Sequence, residues 1–320
     1  MQHFADRLNA AVKRVGNPVL VGIDPRPESL PNGYRNRFSE GPLATVSALE
    51  AFCKQVIDVI AARVCAIKPQ AAFFEQHGPP GMAALQAVAR HAREKGLLVI
   101  LDGKRNDIGT TAEAYAQAYL RGAPPTPTAS QTRDADPTHW CSDALTVTPY
   151  LGSDGIQPFL KAAAQHGNGL FVLVRTSNPS AREFQDLMCD GKPLYRHVAQ
   201  RLGEWAAPHF GASGYSLVGA VVGATYPQEL AELRAVLPGV IFLVPGYGAQ
   251  GGNAADVAAA FDENGHGAII NNSRGLVFAY QNPKFRDRAH GDWQRAVELA
   301  LDDMIDDLAT NTPAGRLRSR

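Results

Sequence analysis

Short apolar runs alternate with runs of helical period along almost the whole chain. Candidate strands cover 18–23, 64–68, 97–102, 144–148, 170–174, 217–222, 241–245 and 267–271. Most are near-continuous Val, Ile, Leu and Ala, the composition of parallel strands buried on both faces. Between and after them, helical periodicity covers 43–62, 82–94, 111–120, 156–165, 195–206, 227–236, 254–261 and 293–308. Strand–helix alternation of this kind predicts a single-domain (β/α)8 TIM barrel over 1–308, a fold that needs about 250 residues. A doubly wound open sheet is the alternative. Polar and charged residues recur after nearly every strand, which implies one shared mouth and favours the barrel. The stretch 121–143, with Pro124, Pro125, Pro127 and Pro137, breaks the rhythm and reads as an irregular insertion. The polar tail 309–320 is expected to fray.

In such a barrel the chemistry sits at the carboxyl ends of the strands. The third strand ends in Asp102-Gly103-Lys104-Arg105-Asn106-Asp107, just before a helix. Side chains alternate along a strand, so Asp102 and Lys104 should point the same way. A solvated turn would also be rich in Asp, Asn and Gly, so the neighbouring strands have to decide. The first ends in Gly22-Ile23-Asp24-Pro25-Arg26, and the second in Ile67-Lys68-Pro69-Gln70, followed by Phe73-Phe74-Glu75. A lysine ending a buried apolar strand is costly unless paired, and Asp102 offers the pair. Thr110 and Glu113 have the spacing of a capping box, and Thr111 could face the mouth. The fifth strand ends in Arg175-Thr176-Ser177-Asn178-Pro179, able to read a polar ring. The seventh ends in Pro245-Gly246-Tyr247-Gly248-Ala249-Gln250-Gly251-Gly252, and the eighth in Asn271-Asn272-Ser273-Arg274-Gly275. Glycines that admit an anion to the backbone and a planar guanidinium suit a phosphate, and barrels often hold one after strands seven and eight.

Composition narrows the classes without adding a site. Thirty-one basic residues balance thirty-one acidic ones, which gives no reason to expect a nucleic-acid partner. The cysteines Cys53, Cys65, Cys141 and Cys189 are scattered without a C-x-x-C pair, as expected of free thiols in a reducing compartment. No apolar run approaches a membrane span, and the first residues lack a signal-peptide pattern. A cytoplasmic protein is expected.

Six blocks, LVGIDPRP, AIKPQAAFFEQHG, LDGKRNDIGTTAEAY, VRTSNPSA, VPGYGAQGG and NNSRG, occur in this order. With them the chain resembles the orotidine 5'-phosphate decarboxylases, in particular their longer bacterial (type 2) subfamily, from about residue 4 to 282. The resemblance implies a cofactor-independent homodimer that converts orotidine monophosphate to UMP in de novo pyrimidine synthesis. It implies that Lys104 protonates C6 of the pyrimidine, that Asp102 is held against the substrate carboxylate, and that Lys68 pairs with that aspartate and touches the ribose. Asp107 and Thr111 would reach the partner subunit's site. Asp24 would bind the ribose, and Ser177 would read the pyrimidine edge. Gln250 and Arg274 would clamp the phosphate, with Pro245, Gly246 and Ser273 beside them. Two competing readings remain at this point. A sugar-phosphate decarboxylase of the same barrel uses magnesium and an acidic residue after the second strand, where this chain has Lys68. A non-catalytic nucleotide-binding barrel is the other.

Overall fold

Apolar strands ordered in sequence have closed on themselves: β1 (Val19–Ile23), β2 (Ala66–Pro69), β3 (Leu98–Arg105), β4 (Ala144–Val147), β5 (Gly169–Arg175), β6 (Val218–Val222), β7 (Phe242–Val244) and β8 (Ala268–Asn272). The computed structural model describes residues 2–38, 40–121, 140–248 and 252–319. Each strand is parallel to its neighbours, and β8 pairs with β1 through Val19–Ile270, Leu20–Asn271 and Val21–Asn272, which completes the barrel. The expected (β/α)8 architecture is therefore present. All residues of β1, β2, β4, β6, β7 and β8 are buried, as strands between a packed interior and a helical coat must be.

An amphipathic helix outside the strand–helix alternation, Phe4–Val15, lies across the amino-terminal end of the barrel. Phe4, Ala5, Leu8, Ala11 and Val12 form its buried face, and Gly16 ends it at φ 68°, a left-handed cap that glycine adopts without strain. Phe4 meets Phe171 edge to face, with ring centroids 6.0 Å apart. A Cβ on Gly169 would lie 2.2 Å from the Phe4 ring, so the start of β5 has to be glycine. Fully buried Asp143, just before β4, ties this end together by accepting from Arg7 (2.5 Å), Arg93 (2.8 Å) and the Val99 amide (2.9 Å).

Two expectations about local structure are corrected. The tail does not fray over its described part. The last long helix runs Trp293–Asn311, and a 3-10 segment, Pro313–Ser319, packs Ala314 and Leu317 into the core. The helix after β3 begins at Gly109 with Ile108 at its N-cap and no side-chain cap, so Thr110 and Glu113 form no capping box. The capping box is instead Asn253 with Asp256, opening the short helix after β7. The irregular connection 121–143 falls mostly outside the described residues.

An aromatic cluster steadies the two loops that flank the barrel's closure. Phe52 lies 5.9 Å from Tyr34 and 5.2 Å from Trp293, and stacks on Phe278 at 6.0 Å. The Tyr280 hydroxyl donates to the Ser29 carbonyl. The loop after β1, which carries Asp24, and the segment after β8, which carries Arg274, are thus anchored to one apolar base.

Candidate active site

Burying a lysine and an aspartate at adjacent strand ends forces them to pair. Lys68 and Asp102 are 5% and 6% exposed, and Lys68 Nζ lies 2.5 Å from Asp102 Oδ2. Lys104 Nζ lies 2.5 Å from the other oxygen, Oδ1. Two further donors complete the carboxylate: Gln70 Nε2 at 3.0 Å from Oδ2 and Thr146 Oγ1 at 2.9 Å from Oδ1. A carboxylate has about four lone-pair sites, so Asp102 is saturated. Burial alone would raise its carboxyl pKa, but the charges of Lys68 and Lys104 and their hydrogen bonds outweigh it and hold Asp102 well below the usual carboxylate range. Two ammonium groups and one carboxylate leave this cluster with an excess positive charge, suited to an anionic ligand.

Lys104 reaches Asp102 by an uncommon backbone route. Its φ is 44°, a left-handed conformation that costs a residue with a Cβ on the order of 1–2 kcal/mol. The β3–β4 register shifts between Leu101 and Arg105. The Lys104 side chain is 45% exposed, whereas that of Asp102 is only 8% exposed. One end of the cluster is therefore sealed in the barrel and the other opens at the mouth.

Asp107 does not join this cluster among the described residues. It is half-buried and accepts from the Ile108 amide at 2.8 Å. The next residue, Ile108, is 55% exposed. Leu151 is near as well, since a Cβ on Gly155 would lie 3.0 Å from Leu151 and 3.3 Å from the Asp107 carbonyl. Thr111 is exposed on the helix that follows.

The other expected residues among those described follow the strand ends. Asp24 follows β1, and its Oδ1 is buried without a hydrogen-bond partner among the described residues. Gly22 in β1 must be glycine, because a Cβ there would lie 1.8 Å from Ser273 Oγ, after β8. Ser177 is half-buried after β5. Gln185 pins its loop by accepting from the Thr176 amide (3.0 Å) and donating to the Thr176 hydroxyl (2.8 Å). After β7, the Pro245 carbonyl accepts from Ala224, Gly246 has φ 104°, and the Tyr247 hydroxyl donates to Asp307 at 2.5 Å. Gln250 lies outside the described residues. Arg274 is exposed at the start of the short helix Arg274–Val277.

The sequence that forms these strand ends is matched by a family model. The model described as orotidine 5'-phosphate decarboxylase / HUMPS family covers residues 17–286. The chain belongs to this family. Among curated relatives, it is 50% identical over 310 residues to an orotidine 5'-phosphate decarboxylase of Rhodopirellula baltica, covering 96% of this chain and 99% of the relative. It is 39% identical over 304 residues to one of Caldicellulosiruptor bescii, covering 94% and 96%. Among solved structures, the Leishmania donovani OMP decarboxylase superposes with a TM-score of 0.72 at 32% identity, covering 97% of this chain and 98% of that one.

Not every charged strand end of this family member faces the mouth. Arg175, 1% exposed, is turned into the helical coat. It pairs with Glu229 and Asp186, each at 2.6 Å, between the rings of Tyr195 (5.0 Å) and Tyr226 (4.7 Å). Glu75, after β2, is taken up by Arg105. Conversely, Gln70 and Thr146 are in the cluster although neither was singled out for a role from sequence. Thr146 is the lone polar residue of β4, and that was the available signal. Among the described residues, no three His, Cys, Asp or Glu side chains are grouped so as to ligate a metal.

Proposed function

We propose that this chain decarboxylates orotidine 5'-phosphate to UMP and carbon dioxide without a cofactor, as a cytoplasmic homodimer of de novo pyrimidine synthesis. The observation that carries the reading is the saturated, ionised Asp102 held between buried Lys68 and partly exposed Lys104. When the C6–carboxylate bond breaks, its electron pair stays on C6 and carbon dioxide departs. The Lys104 ammonium stabilises that pair and delivers its proton to C6, and the exposed end of its side chain lets solvent restore the proton. Asp102 beside the substrate carboxylate is repulsive until carbon dioxide leaves. That repulsion is worth about 4 kcal/mol for two charges at 4 Å and an effective dielectric near 20. The largest enzymatic barrier reductions exceed about 20 kcal/mol, so the greater share belongs to charge preorganised around C6.

Lys68 would pair with Asp102 and touch the ribose, and the unpartnered buried oxygen of Asp24 fits a ribose hydroxyl. Ser177 would read the pyrimidine edge, while Gln250 and Arg274, with Pro245, Gly246 and Ser273, would hold the phosphate. The absence of a bond from Asp107 to the Lys68–Asp102–Lys104 cluster among the described residues, beside exposed Ile108, supports its serving the partner subunit's site together with Thr111. Coverage of nearly the full length of the bacterial relatives supports the longer bacterial subfamily. The magnesium-dependent sugar-phosphate reaction is disfavoured because Lys68 stands where that chemistry needs a carboxylate.

Purified protein should convert orotidine monophosphate to UMP at a rate that a chelator leaves unchanged. UMP binding with no turnover would overturn the reading. Mixing Lys104→Ala and Asp107→Ala chains should regain activity, because one site of each mixed dimer is intact. Verified mixed dimers that stay inactive would remove the shared-site part alone.

A further inference from the structure

We propose that Thr146 is a positioning residue for the decarboxylation, its hydroxyl holding the left-handed Lys104 backbone against the carboxylate that its own side chain must meet. The inference deepens the assignment of Lys104 above and rests on it. Thr146 Oγ1 lies 2.9 Å from the Lys104 amide nitrogen and 2.9 Å from Asp102 Oδ1. Only one assignment of the protons satisfies both contacts. The amide can only donate, so the hydroxyl accepts from it. The ionised carboxylate can only accept, so the hydroxyl donates to it. The hydroxyl has one proton, and this arrangement commits it to Asp102.

The geometry it serves is strained. Lys104 has φ 44° beside a register shift in β3, a conformation that persists only when its surroundings enforce it. Thr146 is 1% exposed and stands on β4, in the rigid wall of the barrel. It therefore transfers the barrel's rigidity to two groups at once: the backbone that aims the ammonium and the oxygen to which that ammonium is tethered. A valine would keep the branched shape and remove both contacts. The Lys104 amide would lose its partner, and Asp102 would keep its two ammonium donors and Gln70. The aim of Lys104 would loosen, whereas the ribose and phosphate contacts, made by other strand ends, would stay. The loss should thus fall on kcat and not on KM.

The test compares Thr146→Val and Thr146→Ser with wild type and Lys104→Ala, measuring kcat and KM on orotidine monophosphate and the Kd of UMP. Thr146→Val should lower kcat about ten- to hundredfold and leave KM and the UMP Kd within about threefold. Thr146→Ser, which keeps the hydroxyl, should retain kcat within about threefold. An unchanged kcat in Thr146→Val would overturn the proposal, and so would a loss in Thr146→Ser as large as in Thr146→Val. If Thr146→Val fails to bind UMP, the serine variant decides alone: near wild-type kcat supports the hydroxyl's role, and a large loss overturns it. Full activity in Lys104→Ala would instead sink the underlying assignment, whatever the Thr146 variants do.

Discussion

Replacing Asp102 by asparagine should destabilise the unliganded protein even though it removes a charge from a buried site. At a separation of 2.5 Å and an effective dielectric near 20, the Lys68–Asp102 attraction is roughly 6–7 kcal/mol before desolvation is deducted. The Lys104 contact has the same length, but its ammonium side is 45% exposed, so solvent screens it and it is counted as minor. Removing one partner of a buried pair costs about 3–5 kcal/mol, because the other charge stays buried without compensation. Here that charge is Lys68, 5% exposed. For 320 residues, an unfolding entropy of about 2.1 cal/mol/K per residue converts this loss into a fall in Tm of about 4–7 °C. The assay is thermal unfolding without ligand at pH 7 and fixed protein concentration. The pH dependence supplies a second check. The folded carboxyl is held below its unfolded value of about 3.9, so its contribution is complete well above that pH. As pH falls below about 4 the unfolded chain takes up a proton that the folded one refuses, and the contribution declines. The gap between wild type and Asp102→Asn should therefore narrow from pH 5 to pH 3. An equal or higher Tm for the variant at pH 7, or a gap that widens with acid, would refute the reasoning.

Two further outcomes follow from residues at opposite ends of the barrel. Arg274→Ala should reduce kcat/KM on orotidine monophosphate by about a hundredfold or more, because the phosphate contact proposed for Arg274, though remote from the reacting atoms, would hold the substrate against the charge cluster. Steady-state kinetics with an unchanged kcat/KM would contradict this. Phe4→Ala empties the space against Gly169 and Phe171 and should cost about 3–5 kcal/mol, read as a lower Tm with kcat at 25 °C within about twofold of wild type.

The barrel was legible because buried parallel strands are written as uninterrupted apolar runs, and its mouth because Asp24, Lys68, Asp102 and Lys104 end consecutive ones. The helix Phe4–Val15 was missed for a physical reason. It precedes the first strand, outside the β/α alternation, and its partners Gly169, Asp143 and Ser213 are distant in sequence. The packing of Leu317 was hidden in the same way: a polar, arginine-rich tail gives no sign that one leucine returns to the core. Arg175 shows the limit of reading strand ends as a mouth, since alternation also sends a terminal side chain outward, here to Glu229 and Asp186. Thr146 stands out in sequence only as the lone polar residue of β4; its contact with the Lys104 amide depends on the φ of Lys104, and no sequence pattern reports that.

The central claim is that Lys104, held by Asp102, performs the decarboxylation. Its most direct test is the loss of orotidine monophosphate absorbance on adding pure protein, run in parallel with Lys104→Ala. Wild type should turn the substrate over, and the variant should be slower by about a thousandfold or more while still binding UMP within about tenfold of wild type. An inert wild type, or a Lys104→Ala variant that matches it, would contradict the account.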